Sequence, residues 1–177
     1  MALHALEEFP HEITLGIIGG TGLYHISDSQ ELSELLEFVQ ELPIIETPYG
    51  RTSSPIDAYI ILKTPEPYCI SFIARHGLDH KFSPTTVPYR ANLAAFKRLK
   101  TKHIISFSSV GSLKQECKPT DFVLPDQVID LTKGLREHSY FNDTGIVGHI
   151  SFGDPFSYQL RKFLLKTTEQ IQKKGQT

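Results

Sequence analysis

Three glycines set around one threonine, directly after a short β-branched run, constrain this chain more than any other feature. Residues 13–24 read Ile-Thr-Leu-Gly-Ile-Ile-Gly-Gly-Thr-Gly-Leu-Tyr. The first half has the composition of a buried strand. The second half must be a loop, because glycine permits turns that a Cβ forbids. A strand that ends in such a loop leaves backbone N–H groups converging on one point. With the Thr21 hydroxyl beside them, they make a pocket for an oxyanion, most often phosphate. A tight turn with no ligand is the other reading, and the loop alone does not choose between them.

Two familiar glycine loops are tested against this stretch. The dinucleotide fingerprint needs a third glycine three residues after the second. Gly20-Thr21-Gly22 is followed by Leu23, Tyr24 and His25, so the fingerprint is incomplete and a nicotinamide oxidoreductase is a weak reading. The P-loop ends in Gly-Lys-Ser/Thr, and no such triplet follows Gly22. The loop fits a small anion better than a dinucleotide or a triphosphate.

A length of 177 residues predicts one domain with a real core. A hydrophobic fraction of 40% and a charged fraction of 21% are ordinary for a globular protein. The formal net charge is −2, which supplies no basic field for nucleic acid and no polybasic patch for a membrane. Runs such as Tyr68–Ala74 are too short to span a bilayer. Met1–Pro10 has no basic stretch of the signal-peptide kind. Cys69 and Cys117 lack metal-type spacing and fit a reducing compartment. The expected location is the cytoplasm, with the nucleus as a second compartment.

Further along, Ser27 with Gln30 resembles a capping box, and Leu32, Leu35, Leu36 and Val39 follow helical spacing. Pro43 would end that helix, and Thr47-Pro48-Tyr49-Gly50 predicts a turn. Ala58–Leu62 and Cys69–Ala74 predict strands separated by the Pro65/Pro67 turn. Pro88 opens a helix whose apolar face is expected at Leu93, Phe96 and Lys100, with Ala94, Ala95 and Leu99. Lys102–Phe107 predicts a strand, as does Phe122–Leu131, broken at Pro125 and Asp126. Lys133–Gly148 reads as a long loop, and Leu160, Phe163, Leu164, Thr167 and Ile171 mark a final helix. Alternating strands and helices predict an α/β sheet covered by helices on both faces.

Gly20-Thr21, Arg75-His76 and Ser108-Ser109 each follow a predicted strand. In a parallel arrangement they would face one rim, where ligands bind in open α/β sheets. Arginine suits phosphate because its planar fork donates two parallel hydrogen bonds. Arg75 alone would read as a solvated surface residue; three anion-friendly loops together favour a site. His76 and His80 are four apart, yet no third metal ligand follows at sensible spacing and Gly77 opposes a helix there, so no metal is expected. Phe107–Gly111 does not supply the Gly-x-Ser-x-Gly that a nucleophilic Ser109 would want. His149, taken alone, reads as a packing histidine.

Several motifs in order resemble one family. Gly16-Ile17-Ile18-Gly19-Gly20-Thr21-Gly22-Leu23, Thr47-Pro48-Tyr49-Gly50, Arg75-His76-Gly77-x-x-His80 and Tyr89-Arg90-Ala91-Asn92 are similar to those of the S-methyl-5′-thioadenosine phosphorylases, within the purine nucleoside phosphorylase superfamily. Val110-Gly111-Ser112-Leu113, Pro119-x-Asp121, Asp126-Gln127-x-Ile129-Asp130 and the stretch from His149-Ile150 to Pro155-Phe156 continue the likeness. Arg-His-Gly-x-x-His separates the thioadenosine group from the six-oxopurine phosphorylases.

The resemblance implies a mixed, twisted α/β sheet flanked by helices, assembled as a homotrimer, with no metal or organic cofactor. It implies phosphorolysis of methylthioadenosine to adenine and 5-methylthioribose 1-phosphate, with inorganic phosphate as co-substrate. The phosphate contacts carry over to Thr21, Arg75, His76, Ser108 and Ser109. The family often has Thr-Ala where this chain has Ser108-Ser109, and the Ser108 hydroxyl keeps a donor. His149 matches a histidine offered to a neighbouring subunit's 5′-substituent pocket. The family's ribose- and adenine-reading residues are expected beyond Thr177, so the resemblance makes residues 1–177 a partial domain, incomplete at its C-terminal end. The alternatives are a non-catalytic isoform that joins full-length subunits, and a related purine nucleoside phosphorylase.

Overall fold

A computed structural model describes residues 13–24, 26, 30–142 and 144–174. The chain divides into two compact units, Met1–Val110 with Leu135–His138, and Gly111–Gly134 with Ser139–Thr177.

The first unit is built on a five-stranded sheet. In chain order its strands are β1 (Ile13–Gly19), β2 (Leu36–Leu42), β5 (Ile56–Ile61), β6 (Tyr68–Ala74) and β7 (His103–Ser106). A small hairpin, β3 (Glu46–Thr47) with β4 (Gly50–Arg51), interrupts the series. The spatial order is β2-β5-β6-β1-β7. β6, β1 and β7 run parallel, whereas β5 is antiparallel to both β2 and β6. The sheet is therefore mixed, as expected.

Strand alternation gives the sheet two apolar faces. One carries Ile13, Cys69, Ile73 and Ile56 against Ala95 and Phe96 of helix α2 (Tyr89–Arg98) and Leu99 at its end. The other gathers Tyr59, Ile70 and Phe72 with Ile26, Leu15 and Ile17. Gly16, Ser71 and Ala58 are register partners across β1, β6 and β5, so small side chains form one row across the sheet. A Cβ at Gly16 would stand 2.8 Å from the Phe96 ring. The missing side chain is what lets α2 lie close, and fully burying an aromatic such as Phe96 contributes roughly 1.5–3 kcal/mol. Leu99 closes α2, and Lys100 follows in the left-handed region at φ 58°. Its N–H donates to the Lys97 carbonyl and that of Thr101 to Phe96, a Schellman ending.

Three expectations are corrected. The helix read across Leu32–Val39 is only α1 (Gln30–Ser33), and Leu36–Leu42 is strand β2. β5 pairs with that segment from Leu36 to Leu42, and a hydrogen-bonding neighbour overrides a four-residue apolar spacing that suits a helix. The capping residue Ser27 lies outside the described residues. In α2 the buried face is Ala91, Asn92, Ala95 and Phe96, whereas Leu93 is exposed. Ala95, Phe96 and Leu99 are buried as expected, and Ala91 and Asn92 extend that face toward the helix start in place of Leu93. Finally, Phe122–Leu131 forms no strand. Phe122, Ile129 and Leu131 are exposed, because a β-branched run becomes a strand only beside a partner that takes its backbone hydrogen bonds.

That segment belongs to the second unit, whose regular element is α3 (Tyr158–Lys174). Within it Gln127 donates through its carboxamide to the Gly153 carbonyl at 3.0 Å, and Phe141 packs on Gly148. No helix among the described residues is long and apolar enough to cross a membrane.

Candidate functional site

β1 lies between β6 and β7, and all three point the same way. Gly19 is level with Ala74, and Ile18 with Ser106, so the loops that follow emerge side by side at one rim. The ladders run just past the strand ends: Arg75 N–H donates to the Gly19 carbonyl and Phe107 N–H to that of Ile18. The glycine loop then turns back, with Leu23 N–H donating to the Gly20 carbonyl at 3.1 Å. Gly22 supplies the positive φ, 89°, that the third position of such a turn needs.

The side chains of Arg75 and Ser108 meet above this loop. Arg75 Nη1 donates to Ser108 Oγ at 2.6 Å and to the Phe107 carbonyl at 3.2 Å. Ser109 Oγ donates to the Thr21 carbonyl at 3.3 Å. A Cβ on Gly20 would lie 2.8 Å from Arg75 Nη2, so the absence of a side chain there lets the guanidinium settle on the loop. Arg75 is half-buried, and Thr21, Ser108 and Ser109 are exposed. The result is a fixed cation with hydroxyls beside it at the end of a glycine loop, an arrangement that can hold a tetrahedral anion.

His76 is buried directly behind Arg75. Its Nδ1 lies 2.8 Å from the Phe82 carbonyl, which can only accept, so Nδ1 carries the proton. Nε2 is then the acceptor for Arg75 Nε–H at 3.4 Å. The ring stacks on His80 with centroids 4.5 Å apart and planes within 6°. His80 shares a 2.6 Å hydrogen bond between its Nδ1 and the Tyr24 hydroxyl. Tyr24, Leu78, Asp79 and His80 line a cavity of about 540 Å³. Asp79 and His80 both hold positive φ, 57° and 56°, a strained turn of the kind that collects at functional sites.

The structure thus brings together Thr21, Arg75, His76, Ser108 and Ser109, all in the first unit. His149 lies in the second unit, exposed and outside regular structure. Among the described residues no group of three or more His, Cys, Asp or Glu side chains is placed to hold a metal ion. Sequence reasoning passed over Tyr24 and His80 as a pair. Their hydrogen bond spans 56 residues, and only the position of Tyr24 just after the glycine loop could have drawn notice.

A parallel β6-β1-β7 core with glycine, arginine and serine loops on one rim defines an open α/β protein with its polar loops gathered at the strand ends. The sequence matches the Phosphorylase superfamily over residues 14–176, and the chain belongs to that family. The S-methyl-5′-thioadenosine phosphorylase of Yarrowia lipolytica is 44% identical over 158 residues, 89% of this chain and 46% of the relative. That of Candida albicans is 44% identical over 174 residues, 96% of this chain and 46% of the relative. The crystal structure of a methylthioadenosine phosphorylase from an antarctic soil metagenomic library superposes with a TM-score of 0.74 at 36% identity, covering 90% of this chain and 51% of that one. The ligand-free Schistosoma mansoni methylthioadenosine phosphorylase gives 0.74 at 29% identity, with 90% and 54% covered. The fold is that of these nucleoside phosphorylases, and the chain spans about half the length of the curated relatives it matches.

Proposed function

We propose that this chain carries the phosphate grip of an enzyme that splits S-methyl-5′-thioadenosine by phosphorolysis, releasing adenine and 5-methylthioribose 1-phosphate. The observation that supports it is the Arg75–Ser108 contact above Gly20, with Ser109 tied to Thr21. Thr21, Arg75, Ser108 and Ser109 hold inorganic phosphate, and His76 holds Arg75. Glycosidic cleavage passes through an oxocarbenium-like state. A phosphate fixed beneath C1′ stabilises that cation and is already placed as the nucleophile. The purine departs with a proton or hydrogen bond at N7. In this reading inorganic phosphate is the co-substrate, and no metal or organic cofactor is assigned.

The same reading gives a transferase of methionine and purine salvage, located in the cytoplasm and nucleus, and a homotrimer in which His149 serves a neighbouring subunit's 5′-pocket. The test is adenine release from methylthioadenosine with and without phosphate, beside Arg75→Gln. Phosphate-dependent release that the variant loses upholds the reading. Faster turnover of a six-oxopurine nucleoside would instead make the chain a related purine nucleoside phosphorylase.

A second reading is a non-catalytic subunit that associates with full-length phosphorylase. It is favoured by the exposed apolar side chains of Leu113, Phe122, Ile129 and Leu131 in the second unit. Phosphate binding with no adenine release selects it.

A further inference from the structure

Behind the rim loops lies a buried polar cluster that the reaction itself does not use. Thr52, Ser53, Ser54 and Asn92 are all nearly inaccessible, at 2%, 6%, 3% and 2% exposure. Burying hydroxyls and a carboxamide is unfavourable unless each group is paired, and here the pairing is closed. Asn92 Oδ1 accepts from Ser53 N–H at 2.9 Å, and Asn92 Nδ2 donates to Ser53 Oγ at 3.0 Å. Ser53 Oγ is thereby left to spend its one proton on the Ala74 carbonyl, at 2.7 Å. Ser54 Oγ accepts from Ala74 N–H at 3.1 Å and donates to the Pro55 carbonyl. Thr52 Oγ1 accepts from Ile45 N–H and donates to the Ser54 carbonyl.

Both backbone groups of Ala74 are therefore gripped by side chains where β6 ends. β5 begins at Ile56 after Pro55, and proline has no N–H to extend a ladder, so hydroxyls take over where the strand cannot. Arg75 is the next residue. Beyond it, Gly77 at φ 75° passes so close that a Cβ would sit 2.9 Å from the Ser53 carbonyl oxygen. The segment Thr52–Ser54, held to α2 by Asn92, wraps the back of the turn that presents Arg75.

We propose that Asn92 and Ser53 are positioning residues of the anion site: they fix the backbone at Ala74 and so set where the Arg75 guanidinium points. The inference rests on the phosphate reading for its use, and on Arg75 geometry for its proof. Binding groups lose effect when displaced by about 1 Å, and a fully paired buried polar clasp fixes direction, which non-directional apolar packing does not.

The test follows Arg75 directly. In the nitrogen-15-labelled protein, exchange of the Arg75 Nε–H with water is measured by NMR alongside titration with inorganic phosphate. Asn92→Ala and the milder Ser53→Ala are compared with Ala95→Gly, a buried change one turn along α2 that weakens the helix without touching the clasp. Losing one such hydrogen bond predicts roughly tenfold faster Arg75 Nε–H exchange and roughly tenfold weaker phosphate binding in both clasp variants. Ala95→Gly leaves both near wild type. If Ala95→Gly shifts them equally, or Ser53→Ala shifts neither, the clasp is ordinary packing and the proposal falls. A wild-type protein that takes up no phosphate overturns the anion reading alone, because Arg75 exchange still decides the positioning role.

Discussion

Arg75 Nη1 and Ser108 Oγ, 33 residues apart in the chain, are joined by a 2.6 Å hydrogen bond that passes over Gly20. Their strands do not touch: β1 separates β6 from β7. The contact fits because the residue beneath it has no side chain, and three loops thereby meet in one corner.

If that corner grips phosphate, Arg75→Gln lowers affinity for inorganic phosphate by about tenfold or more, and Ser108→Ala by about threefold. Arg75→Lys does not restore it, since an ammonium lacks the planar fork. Titration calorimetry of the three variants measures this, and equal affinities would remove the site.

Gly20→Ala introduces a Cβ 2.5 Å from the Phe107 carbonyl oxygen and 2.8 Å from Arg75 Nη2. The arginine tip can move but the backbone resists, so stability falls by about 1–3 kcal/mol. Phosphate affinity falls with it. Urea unfolding and the same titration read both effects.

Ser71 is fully buried in β6, and its hydroxyl has no hydrogen-bond partner among the described residues. Ser71→Ala removes an unsatisfied polar atom and stabilises the fold by about 1 kcal/mol. The urea midpoint rises at unchanged slope; a fall would mean that the hydroxyl is satisfied in solution.

Lys100 occupies the left-handed position that ends α2, at φ 58°. Glycine takes this conformation without a Cβ penalty, so Lys100→Gly stabilises by about 1 kcal/mol. Thermal unfolding checks the sign, and Lys100→Ala should bring no comparable gain.

Burial pushes the Cys69 thiol from its ordinary 9.0 up to about 11, and the Ile70 backbone hydrogen bond offsets part of that rise. Its S–H donates to the Tyr59 carbonyl. The unfolded chain loses this proton first, so stability is intact below pH 9 and declines as pH rises toward 11, by about 2–3 kcal/mol in total. Cys69→Ala flattens that limb of the pH–stability curve. A wild-type curve with no such decline would contradict the burial effect.

Much of the site was legible because its parts are local. The β-branched run before Gly19, the Cys69–Ala74 strand and the Lys102–Phe107 strand each carry their own signal, and each is followed at once by its anion-friendly loop. Where the signal was short or depended on a neighbour, reading the chain failed. Leu32–Val39 has helical spacing, yet from Leu36 on it becomes a strand beside β5, and Phe122–Leu131 has strand composition but forms no strand.

By itself the sequence determined which residues could bind an anion and that they follow strands, because glycine, arginine and serine act through their own backbone freedom and donor groups. Only the tertiary structure decided that Arg75 reaches Ser108 over Gly20, and that Asn92 on α2 clasps Ser53 across 39 residues to hold Ala74. Those contacts depend on strand order and on the closeness of buried polar groups, which are properties of the packed molecule and leave no periodic trace along the chain.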